Sequence, residues 1–214
     1  MSLSSIFTAQ DPVPLLQDYE CFLDYLTNHS IELTKTKEVL PKKHLPPLNQ
    51  KMSCPAVDAT PHSQQESYPL LNLLYYLTIA GDLFHKAEGK GGKFRLEPTT
   101  ERLNHYQSLT DEEKYIFLLE TLWVNCDCGY LEPGTYQPAS FSFLSPAFEV
   151  LGEQKPGFRI EHGMDLWEHT YVITSLLHWG YYLYYFSYFG FWEATFDDQT
   201  RMSAKMDTPA KSVT

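Results

Sequence analysis

A helical run that stops at a glycine and passes into a glycine-rich hairpin constrains this chain most. Residues 69–97 read PLLNLLYYLTIAGDLFHKAEGKGGKFRLE. Leu70, Leu71, Leu73, Leu74, Leu77 and Ile79 recur at helical spacing. Pro69 suits the first helical position, where its missing N–H costs nothing. Gly81 is expected to take the left-handed conformation that ends a helix. Residues 83–87 then read as a strand, Glu88-Gly89-Lys90-Gly91-Gly92 as a turn, and residues 93–96 as the return strand.

The pattern returns near the C-terminus. Tyr75-Tyr76-Leu77-Thr78-Ile79-Ala80-Gly81 matches Tyr184-Tyr185-Phe186-Ser187-Tyr188-Phe189-Gly190 in character, position for position. Strands are expected at 191–196 and 201–206, around a turn at Asp197-Asp198-Gln199. A local match followed by the same order of elements predicts an internal duplication.

Residues 1–14 read as a disordered N-terminus. Leu15, Leu16, Tyr19, Phe22, Leu23 and Leu26 predict a helix over 15–26. Residues 31–34 form a short strand candidate. A second helix is expected within 41–52, with Pro46 and Pro47 restricting where it starts. Residues 53–68 are polar and read as a loop or insertion. The order is helix, strand, helix, helix, strand, strand. In that order, in LLNLLYYLTIAG and in the Gly-rich turn, residues 15–97 resemble a winged-helix domain of the helix-turn-helix group. The loop at 53–68 departs from the tight turn usual in that group, which counts against a DNA-reading geometry.

Residues 98–108 are expected to hold a linking helix. Thr110 and Glu113 form a capping box ahead of a helix through Trp123, which would open a second domain at 109–214. The resemblance therefore implies a mainly α chain with small β-hairpins (α+β), built from two winged-helix-like domains in tandem. LLNLLYYL and LTDEEKYIFLLETLW are also similar to helical regions of uncharacterised prokaryotic proteins linked to plasmid open-reading-frame families; no activity comes with that likeness.

Charge narrows the partners. The chain carries a net −11, and residues 111–214 hold 15 Asp+Glu against 6 Lys+Arg. An acidic half repels a phosphate backbone. The only positive concentration is Lys35, Lys37, Lys42, Lys43 and Lys51, to which the turn adds Lys90 and Lys93. Thr170 to Trp192 has no charged side chain and is long enough to span a bilayer. Its tyrosines spread along the whole run and both flanks are acidic, so no membrane span is expected. Without a secretory signal or a disulfide framework, a cytoplasmic protein is expected.

Local chemistry is sparse. Cys126 and Cys128 stand one residue apart, unlike the spaced pairs of zinc sites. His162, Asp165 and His169 would share a helix face but fit a polar first turn as well. Gly89 to Lys93 lacks phosphate-loop spacing, and no nucleophile elbow is present. No metal, cofactor or catalytic residue is assigned.

Two functions compete, with an enzyme of unknown reaction as a third. A DNA-binding transcriptional regulator would use Lys35, Lys37, Lys42, Lys43, Lys90 and Lys93 on phosphates. Its reading helix would need polar side chains that reach base edges, yet between Leu70 and Ala80 only Asn72 and Thr78 are polar. A non-enzymatic protein-interaction or regulatory module accounts for the acidity and the aromatic excess together. Its expected contact surface, for a protein partner or for self-association, is drawn from Trp179, Tyr182, Tyr185, Tyr188 and Phe189.

Overall fold

The computed structural model describes residues 14–127 together with 131, 149, 160–161, 185–191, 194–196 and 210–213. The described chain is mainly helical with small antiparallel β elements. It divides into two compact units, Met1–Cys126 and Asp127–Thr214. No helix of the described residues is long and apolar enough to cross a membrane.

In the first unit, helix α1 (Pro14–Asn28) buries Leu15, Leu16, Tyr19, Phe22, Leu23 and Leu26, the stripe its spacing predicts. A 3-10 turn at Lys42–His44 leads into the five-residue helix α2 (Leu45–Asn49), which sinks Leu45 and Leu48. Helix α3 (Pro69–Ala80) starts on its proline. Strands β1 (Phe84–Glu88) and β2 (Phe94–Pro98) pair antiparallel, with Lys86 opposite Leu96. Gly91 and Gly92 take φ of 70° and 71° in the connecting turn, so the glycine-rich run has a conformational reason.

The strand expected at 31–34 contracts to one bridge, Glu32 opposite Arg95. It is secured by Leu33 N–H to the Phe94 carbonyl at 2.8 Å and Leu96 N–H to the Ile31 carbonyl at 3.0 Å. The spatial order is therefore first segment, last strand, middle strand. The second unit repeats it. There β3 (Ile160–Glu161) pairs with β5 (Ala210–Val213), and β5 pairs with β4 (Ala194–Phe196), all antiparallel. Helical residues 185–188 precede that hairpin and end at Gly190. The strand that pairs with β4 is β5; the strand expected at 201–206 falls outside the described residues, as do residues 1–13.

Two further expectations change. Gly81 has φ −79°, in the right-handed region, and Asp82 takes the left-handed turn at φ 57°. An Asp tolerates that conformation because its short side chain bonds locally. The glycine is needed for space instead, because a Cβ there would stand 2.9 Å from Phe117 Cζ. The boundary expected at 109 falls after Cys126. Helices α4 (Thr100–Ser108) and α5 (Asp111–Glu120) belong to the first unit. Tyr106 packs edge-on to Tyr19, Lys114 pairs with Glu20, and Leu118 is fully buried. The capping box forms as predicted: Thr110 Oγ1 accepts from Glu113 N–H at 3.3 Å, and Glu113 accepts from Thr110 N–H at 2.9 Å. Helix α5 then loosens into a π-turn at Thr121–Asn125.

Candidate functional site

Helix α3, the helix expected to read DNA under the regulator reading, is core. Eight of its twelve residues are buried, and Pro69, Tyr76, Ile79 and Ala80 are half-buried. None is exposed. Asn72, 1% exposed, accepts from Gln65 Nε2 at 3.0 Å; Gln65 Oε1 accepts from Leu40 N–H at 2.9 Å. The Thr78 hydroxyl lies 2.8 Å from the Leu74 carbonyl and 3.2 Å from the Tyr19 hydroxyl. The two polar residues of α3 are thus engaged inside.

The loop at 53–68 explains much of this. It is fastened along its length rather than projecting. Asp18, buried on α1, accepts from the Ser53 N–H at 2.7 Å and the Ser53 hydroxyl at 2.5 Å. Asn49 exchanges two hydrogen bonds with the Ala56 backbone. Tyr68, 2% exposed, donates to the Thr60 carbonyl at 2.9 Å. Tyr75 donates to the carbonyl of Glu38, whose own φ is 55°. Burial pushes the Tyr19, Tyr75 and Tyr106 phenols well up, so they stay protonated packing groups.

The predicted cations divide into two sets. Lys37 donates to Glu66 at 2.6 Å and to Gln64 at 3.0 Å, and Lys93 donates to Glu32 at 2.9 Å. Both lysines are thus engaged in ion pairs at the surface. Lys86 is likewise paired with Glu38. Lys35, Lys42 and Lys43 are exposed and make no ion pair among the described residues. Lys51 holds its ammonium 5.7 Å from the Tyr25 ring centre. The side chain of Lys90 lies outside the described residues.

The structure describes three of the five aromatic side chains expected to form a contact surface. Tyr185 is fully buried, donating to the Leu131 carbonyl at 2.8 Å, and Phe189 is 2% exposed. Their rings are not open to a partner, because each side chain is spent on packing. Tyr188 is half-buried; Trp179 and Tyr182 lie outside the described residues. Phe191, next to Gly190, is 46% exposed. On the first unit the exposed apolar side chains include Ile116, Trp123 and Val124, around the end of α5.

Sequence reasoning missed a ring cluster at the end of α1. His29 stacks on Tyr25 with centres 3.9 Å apart, and the Tyr25 hydroxyl lies 3.0 Å from His44 Nδ1. The i, i+4 spacing of Tyr25 and His29 was the available signal; the contact with His44 had none. An open groove beside it is lined by Thr27, Asn28, His29, Arg95 and Glu97. Among the described residues no group of three or more His, Cys, Asp or Glu could hold a metal. Cys126 is buried, and Cys128, His162, Asp165 and His169 lie outside the described residues. Compared with protein-family models, curated proteins and solved structures, the chain matches none.

Proposed function

We propose that the chain is a non-enzymatic interaction module built on two winged-helix-like units, and that it is not a DNA reader. The winged-helix reading draws on strand order. In each unit a short early segment pairs with the last strand, which pairs with the middle strand. A helix closed by a Tyr-rich segment and a glycine precedes each hairpin.

One observation carries the functional half of the proposal: α3 offers no exposed side chain. Turning any face of it to a duplex would uncover leucines whose burial is worth about 1.5–3 kcal/mol each. The paired state of Lys37 and Lys93 adds to this, since a phosphate would have to displace a carboxylate already in place. Ile116, Val124 and Phe191 supply exposed apolar surface of the kind partners use.

Equilibrium binding of labelled duplex DNA across a salt series tests the reading. The expected outcome at physiological salt is binding no tighter than the non-specific range, roughly 10⁻⁴ to 10⁻⁶ M. Nanomolar binding with a steep salt slope, abolished by Lys42→Glu with Lys43→Glu, would overturn it and restore the regulator.

A further inference from the structure

We propose that the His44 turn is an acid-released latch: neutral His44 holds the segment 42–52 against α1, and protonation of its ring lets that segment go. The proposal does not depend on the functional reading above. His44 is 8% exposed and packs edge-on to Tyr25, with ring centres 5.9 Å apart. Its Nδ1 is 3.0 Å from the Tyr25 hydroxyl, and its Nε2 is buried without a hydrogen-bond partner among the described residues. A neutral imidazole needs only one donor position satisfied; an imidazolium carries two N–H groups. Among the described residues the ring meets one acceptor, the Tyr25 oxygen, so the second N–H would be stranded.

The surrounding charges have the wrong sign for a cation. His29, just after α1, sits with its ring centre 6.4 Å away. Its Nδ1 donates to the Tyr25 carbonyl at 2.8 Å. Lys43 is adjacent in the same turn, and Lys51, just after α2, holds its ammonium 5.7 Å from the centre of the Tyr25 ring. The carboxylates of neighbouring elements are engaged elsewhere: Asp24 accepts from Asn28, and Glu97 takes Arg95. Burial first, then Lys43 and His29, hold the His44 ring below the ordinary histidine value. A group depressed in the folded state contributes stability that is complete above its unfolded value, about 6.5, and is lost as pH falls below it.

Tertiary contacts, not intrinsic helicity, keep the element in place. A five-residue helix is far too short to persist by itself in water. Helix α2 holds through Leu45, Leu48 and the Asn49 clasp on Ala56. Release would also move Lys42 and Lys43, two of the exposed cations, so acid would change the charged face that the unit presents.

The test uses the full chain in solution, with histidine ring resonances and amide exchange followed from pH 7.5 to 5.5. The His44 ring should titrate below about 6.5. Amide protection over residues 42–50, corrected for intrinsic exchange, should fall by up to about tenfold at pH 5.5, one unit below the unfolded value. His44→Gln, which keeps a partner for Tyr25 but cannot charge, should abolish that fall. Titration at or above 6.5, unchanged protection, or an equal fall in the variant would overturn the latch. If His44→Gln does not fold, the ring titration of the unaltered chain decides.

Discussion

At φ −79° Gly81 sits in the right-handed region, and a Cβ added there would meet Phe117 Cζ at 2.9 Å and the Leu77 carbonyl at 3.0 Å. Its role is to let α5 approach the end of α3. Gly81→Ala should therefore destabilise the chain by about 1–3 kcal/mol, the usual cost of overpacking. Phe117→Leu in the same chain should recover part of that loss. Urea unfolding of the two single variants and the double variant measures the coupling; strictly additive effects would mean that the two positions do not touch. Asp18 shows the same principle with the opposite chemistry. A carboxylate on the buried stripe of α1 is stable there because Ser53 donates to both of its oxygens.

Among the elements, helix α5 is the one whose start is specified most completely by local sequence. Thr110→Ala removes the acceptor for Glu113 N–H and leaves the backbone N–H of residue 110 to the Glu113 carboxylate. The expected loss is about 1 kcal/mol of stability, read as a lower urea midpoint with an unchanged slope. Local signals of this kind were legible throughout: the α1 stripe, Pro69 at the start of α3, the glycine turn between β1 and β2, and the capping box. The near absence of polar residues in α3 was also a legible sign of burial, since a helix apolar all round is a core helix. What covers it was not legible. Asp18 to Ser53, Gln65 to Leu40 and Asn72, and Lys37 to Glu66 join residues far apart in sequence. No local pattern encodes such pairings. The same limit moved the domain boundary, because the aromatic contacts that tie Tyr106 to α1 and to Phe117 are tertiary.

For the molecule as a whole, two units share a strand order and a helix that ends in a Tyr-rich segment and a glycine. In the first unit, α3 lies in the core, and its polar residues have internal partners. Asn72 tests this most directly, because core and reading surface predict opposite results for one variant. In Asn72→Ala, unfolding and duplex binding are measured on the same preparation. Loss of the Gln65 partner should lower stability by about 1–3 kcal/mol, the cost of a buried polar group left unsatisfied, with the weak duplex binding unchanged. Unchanged stability together with a loss of duplex affinity would contradict the account, because it would put Asn72 on the surface and in contact with DNA.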